Sequence, residues 1–275
     1  MLWLLLVCSL LVPSVLAQDP PRLVALGGSV TEIVYALGHG DQLVGVDASS
    51  VYPADALVQP QLGYFRQTSA EGVLSLAPTQ VLAIASSGPP TALKQIEATG
   101  TPVVMVTDET SVAGAKTKIR TIAEALGATD AGEALIAQLD TDLAALPTPS
   151  GTAPKVLFIY ARGGGTLNVS GTETAAHSMI ELAGGINAVT SYEGYRPLTA
   201  EAVVAAAPDV ILVLDRGLAT MGGIDGLLKQ PGLALTPAGQ ARRIVSMDDT
   251  LFLSFGPRLG QAVRELHRRL YPTAP

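Results

Sequence analysis

The first third of the chain alternates short apolar runs with segments of helical spacing. An apolar run at 22–26 ends at Gly27, and apolar residues then recur with helical spacing up to Gly38. Further apolar runs follow at 43–46, 81–85 and 103–106. Strands that are apolar on both faces and alternate with helices are typical of a parallel sheet covered by helices. The pattern therefore predicts an α/β lobe at 18–110.

The middle of the chain carries one long pattern of helical spacing. It covers 112–146, and Gly127 would mark a bend inside it. A Pro-rich stretch at 147–151 follows, and another apolar run comes after it. We predict a connecting helix at 111–147 that leads into a second lobe at 148–275. A helix in this position would hold two lobes more rigidly than flexible strands would.

One segment of the sequence occurs twice at a constant offset. Residues 69–78 align without a gap with residues 199–208, an offset of 130. Arg66 and Arg196 fall in register ahead of the two copies, whereas Tyr64 has no counterpart in register. Two copies of this size indicate two lobes of similar fold rather than a solenoid. The predicted fold class is therefore α/β, with mostly parallel sheets in both lobes and a ligand cleft between them.

The charge and the motif content argue against two classes of function. With 24 acidic and 17 basic residues, the chain has a net charge of -7 and no basic run, which argues against a nucleic-acid partner. His39, His177 and His267 are scattered, and no Gly-x-Ser-x-Gly elbow or zinc-type histidine pair occurs. We therefore expect a binding protein rather than an enzyme. His39 and His267 are interpreted as surface residues.

The amino-terminal residues are typical of an export signal. An apolar run covers 1–12, and small residues precede a cleavage position after Ala17. The run is too short to span a bilayer. Cys8 raises the alternative of a lipoprotein, but the large residues before it make this the less favoured interpretation. We expect cleavage of residues 1–17 and a periplasmic location for the mature, cysteine-free chain.

Several motifs together resemble a known family. They are Gly-Gly-Ser-Val-Thr-Glu-Ile at 27–33, Gly-Tyr-Phe-Arg at 63–66, Gly-Tyr-Arg-Pro at 194–197 and Asp-Arg-Gly-Leu at 215–218. With these motifs the chain resembles the periplasmic haem-binding proteins of bacterial haem ABC transporters, over nearly the whole mature sequence. The wider group also contains carriers of cobalamin and of ferric siderophores.

The resemblance implies a ferric haem site built around Tyr64. A phenolate is a hard anionic donor that suits ferric iron, and tyrosine is a known axial haem ligand. In the family an arginine of the second lobe contacts this tyrosine, and its motif match is Arg216. Arg66 and Arg196 are expected to bind the haem propionates, one from each lobe. Tyr195 is placed to stack on the porphyrin face.

The resemblance also suggests roles for three further residues. His177 is a candidate iron ligand for a second, stacked haem. Glu71 and Glu201 occupy the same place in the two copies, and in the wider group such a pair docks onto arginines of the two permease subunits. Helix capping is the other interpretation of this pair. We expect a monomer that delivers haem to the permease dimer of an ABC importer.

Three alternatives to haem delivery remain open at this stage. The first is a cobalamin or ferric-siderophore carrier of the same group. The second is an exported enzyme that modifies tetrapyrroles. The third is a membrane-tethered haem store, which depends on lipidation at Cys8.

Overall fold

The computed structural model describes residues 20–147, 151–161 and 167–272. The predicted export signal at 1–17, including Cys8, lies outside these residues. The predicted α/β architecture is confirmed, with one sheet in each of two lobes. No helix in the described ranges combines the length and the apolar character needed to cross a membrane.

The first lobe contains a four-stranded sheet in which all neighbouring strands are parallel. Its strands are β1 (Leu23–Leu26), β2 (Leu43–Val46), β3 (Gln80–Ile84) and β4 (Val103–Val106). Its helices are α1 (Gly28–Ala36), α2 (Ala70–Leu74) and α3 (Pro90–Ala98). The strand order is β2-β1-β3-β4, so the first strand lies inside the sheet. This position explains why β1 is buried along its whole length.

The predicted connecting helix is two helices rather than one. They are α4 (Val112–Ala125) and α5 (Thr129–Ala144). The chain turns at Gly127, whose φ of 66° belongs to the left-handed region that favours glycine. A side chain at Gly132 would place its Cβ 2.5 Å from Ala123 Cβ, so glycine permits the close approach of α5 to α4. The turn therefore folds the segment back on itself.

Ion pairs along the two connecting helices show that they run antiparallel. Lys116 pairs with Asp140 at 2.6 Å, and Arg120 pairs with Glu133 at 2.7 Å. The pair near the start of α4 thus involves the later part of α5, and the next pair involves its earlier part. The connection between the lobes is a helical hairpin.

The second lobe contains a mixed sheet with a parallel centre. Its strands are β5 (Lys155–Tyr160), β6 (Asn168–Ser170), β7 (Ile186–Asn187), β8 (Tyr195–Pro197), β9 (Val210–Leu214) and β10 (Ile244–Met247). The order is β10-β9-β5-β6-β8, and β7 pairs with β5. Strands β5, β7, β9 and β10 pair in parallel, whereas β6 and β8 are antiparallel to their neighbours.

Seven helices described in the second lobe surround this sheet. They are α6 (Ala175–Leu182), α7 (Ala200–Ala206), α8 (Asp215–Thr220), α9 (Gly223–Leu228), α10 (Pro237–Gln240), α11 (Asp249–Leu253) and α12 (Leu259–Leu270). Helix α12 lies close against α5 at Gly260. A Cβ on this residue would lie 2.4 Å from the Cβ of Asp142, so glycine permits the close approach. Arg264 also pairs with Asp142 at 3.2 Å. The last helix of the chain thus fastens the second lobe to the connecting hairpin.

One apolar core runs through both lobes and the helices between them. It includes Leu82 of the first sheet, Ile119 and Leu139 of the hairpin, and Phe158 and Val263 of the second lobe. Burying apolar surface contributes about 25 cal/mol per Å². Because this surface is shared, separating the lobes would expose part of a common core.

The internal repeat is confirmed in three dimensions. Ser69 caps α2 by accepting a hydrogen bond from the Gly72 amide at 3.2 Å, and Thr199 caps α7 in the same way. Ala77 and Ala207, which follow these helices, both have positive φ angles, of 45° and 43°. The next strands, β3 and β9, begin and end at positions that also differ by 130.

His267 is buried, so its interpretation as a surface residue is wrong. Only 6% of the residue is exposed, and its Nδ1 lies 3.0 Å from the carbonyl oxygen of Ala183. His267 follows Val263 by one helical turn, which places it on the apolar face of α12. His39, also predicted at the surface, is partly buried.

A buried ion pair connects α1 of the first lobe to the segment that precedes α12. The Nε of Arg258 lies 2.7 Å from Oε1 of Glu32, and a second hydrogen bond of 2.9 Å joins Nη2 to Oε2. The Glu32 side chain is 2% exposed and that of Arg258 is 20% exposed. The guanidinium carbon of Arg258 lies over the Tyr52 ring, 3.4 Å from its centroid. Both charges are therefore compensated where they are buried.

A lysine inside the protein connects the hairpin to the second lobe. Lys118 of α4 is 1% exposed, and its Nζ donates to the carbonyl oxygens of Ser254 at 3.2 Å and Phe255 at 3.4 Å. Burial lowers its pKa from 10.5 to about 8, and the charges of Asp108 and Glu109 oppose part of this shift.

Arg258→Met is expected to destabilise the protein by about 3 kcal/mol, because it leaves the Glu32 carboxylate buried without its partner. The double variant with Glu32→Gln should recover at least half of this loss, since neither position then carries a charge. Urea unfolding of the single and double variants measures both quantities. Additive losses in the double variant would contradict a coupled pair.

Lys118 should make the stability depend on pH in a defined direction. Its native pKa lies below its ordinary value, so the unfolded chain binds more protons between pH 8 and pH 10.5. The free energy of unfolding of the wild type relative to Lys118→Met should therefore rise as the pH increases through this window. Urea unfolding over this range tests the direction, and a difference that falls or stays constant as the pH rises would contradict it.

Candidate functional site

A cavity of about 600 Å³ lies between the two lobes and is lined by residues of both. Its walls come largely from segments that follow the carboxyl ends of strands in both sheets. They include Gly28 after β1, Ser86 after β3, Ala161 after β5 and Arg216 after β9. Ligands of α/β proteins bind at this edge of the sheet. The volume is that of a site for a compact organic ligand.

Tyr64 lines the cavity from the first lobe. It is partly buried and directly precedes a 3₁₀ helix at Phe65–Gln67. Its ring packs against that of Phe65, with the two centroids 4.5 Å apart. The loop is fixed on both sides of the tyrosine. The Gly63 carbonyl accepts from the Ala48 amide at 2.7 Å, and the Phe65 carbonyl accepts from the Gly88 amide at 2.9 Å.

Arg66 also lines the cavity, one residue beyond Phe65. It is exposed, and its guanidinium carbon lies 5.2 Å from the centroid of the Phe65 ring. The guanidinium is therefore stacked on an aromatic ring beside Tyr64 while remaining accessible to a ligand.

Arg216 brings a cation to the same cavity from the second lobe. It lies in the first turn of α8, and its side chain is 63% exposed. Its backbone amide donates to Asp249 Oδ2 at 3.3 Å, and its Nε is 3.8 Å from Oδ1. Burial raises the pKa of Asp249, although the hydrogen bond from Arg216 and its charge oppose the shift. This loose pairing leaves guanidinium donors for a ligand.

The cavity residues that the sequence did not identify include two with buried polar side chains. Lys118 lines the wall from the hairpin, and Ser29 lines it from the first turn of α1. Lys118 has helical spacing with Ala115 and Ile122, which places it on the predicted core face of the helix. A charged residue at a core position is unusual, and this is the feature of the sequence that points to Lys118. Ser29 carried no such signal, because a serine at a helix start is common.

Tyr195 lies beside the cavity rather than in its wall. The residue is 42% exposed, and its ring is 5.7 Å from that of Tyr160, which does line the cavity. The hydroxyl points into the lobe while part of the ring remains exposed. Burial raises the pKa of Tyr195 to about 12, with a smaller contribution from Tyr160, while hydrogen bonds to Thr174 and Ser170 oppose the shift.

The structure places Arg196 and His177 outside the cavity wall. Arg196 lies on the edge strand β8, with its guanidinium carbon 4.4 Å from the centroid of the Tyr192 ring. His177 has a side chain that is 19% exposed, and its Nε2 is 3.5 Å from Glu181 Oε1. Their predicted roles toward haem stay predictions. Across the described ranges, no group of three or more His, Cys, Asp or Glu side chains is arranged to hold a metal ion.

Glu71 and Glu201 lie in the first turns of α2 and α7, and both are exposed. In each helix the amino end is already capped by a hydroxyl, from Ser69 or Thr199. Among the described residues neither carboxylate makes a capping hydrogen bond, and each charge stabilises its helix through the helix dipole.

Comparisons with known proteins agree with this architecture. The sequence profile of the family described as periplasmic binding protein matches residues 23–251. Among solved structures, the chain is similar to the apo form of the periplasmic heme-binding protein RhuT from Roseiflexus sp. RS-1. The sequence identity is 47% and the TM-score is 0.89, over 92% of this chain and 98% of that chain.

Two curated sequences extend the comparison. The chain is 31% identical over 261 residues to an uncharacterized ABC transporter substrate-binding lipoprotein, YvrC, of Bacillus subtilis (strain 168), covering 93% of this chain and 81% of the relative. It is 24% identical over 202 residues to a vitamin B12-binding protein of Vibrio campbellii (strain ATCC BAA-1116), covering 73% of each.

The family match spans both lobes and most of the cavity wall. The resemblance that the sequence motifs suggested is confirmed by the similarity to a periplasmic heme-binding protein. The expectation of a binding protein rather than an enzyme is confirmed by the same relatives. The chain belongs to the periplasmic binding protein family.

Proposed function

We propose that this protein binds ferric haem in the cavity between its lobes and delivers it to an ABC importer. One observation carries the proposal. Tyr64 of the first lobe and Arg216 of the second line one cavity, in a chain that is 47% identical to a periplasmic heme-binding protein. The cavity is large enough for a compact organic ligand, and its wall combines an oxygen donor with cations.

Tyr64 is proposed as the axial ligand of the haem iron. Its loop is fixed by backbone hydrogen bonds at Gly63 and Phe65, so the phenol would be held in place before the ligand arrives. The iron itself favours the phenolate form, and a nearby guanidinium adds to this effect. Arg216 is proposed to supply that guanidinium, because it lines the same cavity and is only loosely paired with Asp249.

Arg66 is proposed to hold a haem propionate at the exposed part of the site. A guanidinium binds a carboxylate through two parallel hydrogen bonds, and stacking on Phe65 limits the orientations of its side chain. Arg196 and Tyr195 lie on the edge strand near Tyr160, where they could reach a ligand only beyond the cavity wall. We propose them, with His177 as iron ligand, for a second haem stacked on the first.

Cobalamin is the second candidate ligand, because one curated relative is a vitamin B12-binding protein. Cobalamin brings its own nitrogen ligand to the metal, so its binding would not require a phenolate. The two candidates therefore differ in how strongly binding depends on the Tyr64 hydroxyl.

We propose that the mature protein acts as a monomer outside the cytoplasm, in the periplasm, after cleavage behind Ala17. The relative YvrC is named as a lipoprotein, so attachment through Cys8 is the competing form. The mass of the mature amino terminus distinguishes the two, since cleavage behind Ala17 removes Cys8 and lipidation retains it.

Glu71 and Glu201 are proposed to dock the two lobes onto a permease dimer. Both carboxylates are exposed, and they lie at equivalent positions of the repeated helices. A partner made of two similar subunits would present the same basic group to each lobe. Surface charges of this kind act mainly on association rate and specificity.

Hemin titration followed by visible absorption should give a ferric tyrosinate spectrum with the wild type. Tyr64→Phe should lose that spectrum and at least about tenfold in affinity, which corresponds to about 1.4 kcal/mol. Arg216→Met should keep the spectrum but bind more weakly. Tyr35→Phe is the matched control, because Tyr35 lies outside the cavity wall and, within the described ranges, the partner of its hydroxyl is Gln59 at 3.5 Å.

The same titration with cyanocobalamin separates the two candidate ligands. Haem capture is contradicted if Tyr64→Phe retains the affinity and the spectrum of the wild type. Tight cyanocobalamin binding that is unaffected by Tyr64→Phe would favour the second candidate instead.

Reversing both docking charges, with Glu71→Arg and Glu201→Arg, should leave hemin affinity unchanged and abolish delivery to the permease. Each reversal removes a favourable helix-dipole interaction of about 0.3 to 1 kcal/mol, so the fold should persist. Uptake into proteoliposomes that contain the permease measures delivery. A variant with Glu97→Arg and Glu124→Arg carries the same change in net charge on other exposed positions and should still deliver haem. Equal transport by the docking variant would refute the proposed surface.

A further inference from the structure

The cavity wall includes a buried ammonium group with spare hydrogen-bonding capacity. Lys118 is 1% exposed, and its Nζ donates to the carbonyl oxygens of Ser254 and Phe255 at 3.2 and 3.4 Å. A protonated lysine has three donors. No third partner for Nζ occurs in the part of the chain that the structure describes, so one donor is left over.

The same wall includes a buried hydroxyl without a partner. Ser29 is 4% exposed, and its Oγ has no hydrogen-bond partner among the described residues. A buried polar atom left unsatisfied destabilises a protein, so its persistence needs an explanation. Ser29 lies in the first turn of α1 and lines the cavity.

The amino end of α1 adds a third feature that favours an anion. This helix has nine residues, and most of its first amides are already paired. The Gly28 amide donates to Ser49 Oγ at 2.9 Å, and the Gly27 amide just before the helix donates to the buried Asp47 carboxylate at 2.8 Å. The Val30 amide donates to the Gly27 carbonyl, so among the described residues the Ser29 amide is the one left over in this turn. The amino end of a helix carries a partial positive charge and unpaired amide donors. The donors that α1 offers to the cavity are therefore the amide and the hydroxyl of Ser29, in addition to Lys118 from the hairpin.

Lys118 and Ser29 line the same cavity, and contacts at Gly256 show that the segments around them are neighbours. Glu32 follows Ser29 by one turn of α1, and a Cβ on Gly256 would lie 3.8 Å from its Oε1. The same Cβ would lie 3.4 Å from Oγ of Ser254, the residue whose carbonyl accepts from Lys118. The segment that follows α11 thus passes beside α1 as well as beside the lysine.

We propose that Lys118, Ser29 and the amino end of α1 form an anion subsite that holds a carboxylate of the bound molecule. This inference rests on the proposed haem function, because haem carries propionate carboxylates. Arg66 would bind such a group at the exposed part of the cavity, whereas Lys118 and Ser29 would bind one where water is excluded. The subsite would select porphyrins whose edge carboxylates are free.

The charges around the lysine are consistent with an anionic ligand. The described cavity wall contains three cationic side chains and two carboxylates, which are Arg66, Lys118, Arg216, Asp108 and Asp249. The charge of Glu109 also raises the pKa of Lys118. The charge of the nearby Glu32 carboxylate is compensated by Arg258. With a pKa of about 8, Lys118 is largely protonated at neutral pH, and a carboxylate beside it would stabilise that form further.

Hemin and hemin dimethyl ester, titrated at neutral pH into wild type and Lys118→Met, test the subsite. The ester lacks the anionic groups but keeps the iron and the ring. Wild type should bind hemin about tenfold or more tighter than the ester, because a hydrogen bond between charged groups is lost with the ester. Lys118→Met should lose the part of this preference that comes from the buried carboxylate, severalfold in affinity, and the remainder would come from the propionate bound by Arg66. Lys116→Met, the same change on the same helix outside the cavity wall, should retain the full preference.

Ser29→Ala provides a second variant in case Lys118→Met does not fold. It should reduce the preference for hemin by a smaller factor and leave binding of the ester unchanged. Addition of inorganic phosphate distinguishes the source of the anion. If phosphate restores tight binding of the ester to wild type but not to Lys118→Met, the subsite accepts a free oxyanion as well as a ligand carboxylate.

The outcomes separate this inference from the proposed function. If wild type binds neither hemin nor its ester, both are overturned. If wild type binds hemin but Lys118→Met and Ser29→Ala keep its full preference over the ester, only the subsite is overturned. Equal weakening of hemin and ester by Lys118→Met would show that the lysine only supports the end of α11, and it would also overturn the subsite.

Discussion

The packing of the connecting hairpin against α12 is the constraint on which the rest of the structure depends. Helices α4 and α5 share one apolar core with both sheets, and glycines at positions 132 and 260 allow the backbones to approach closely. The Glu32–Arg258 pair adds a bidentate contact between the first lobe and the segment before α12. The two lobes are thereby held at a separation that leaves a cavity of about 600 Å³. Such a connection favours small adjustments of the lobes over wide hinge motion.

The cavity concentrates polar groups that the remainder of the core avoids. Strand ends from both sheets open toward it, and the helices that follow present their amino ends there. Lys118 and Ser29 are buried at this place with incomplete hydrogen bonding, although an apolar wall would be more stable. A ligand that supplies an oxygen donor to these groups would compensate for that cost. Stability and binding are therefore in opposition at the same residues.

The sequence predicted those features of the fold that depend on local interactions. The repeat was visible because Ser69 and Thr199 cap equivalent helices, and capping requires particular residues at fixed spacing. Tyr64 and Arg66 were found because they lie next to that repeated segment. The same reasoning could not separate α4 from α5, because helical spacing continues on both sides of Gly127 and only packing decides that the chain folds back.

Features that depend on tertiary contacts could not be predicted from the sequence. The charged residues around His267 predict exposure, although the histidine lies on the apolar face of α12, where its Nδ1 is 3.0 Å from the carbonyl oxygen of Ala183. Arg196 is in register with Arg66, but the antiparallel edge of the second sheet carries it away from the cavity wall. The site thus breaks the symmetry of the repeat.

A crystal structure of the protein with bound hemin tests the central claim most directly. The account predicts iron ligated by the Tyr64 phenolate oxygen, with the haem in the cavity between the lobes and Arg216 beside the tyrosine. Iron bound to another side chain, or haem bound outside this cavity, would contradict it.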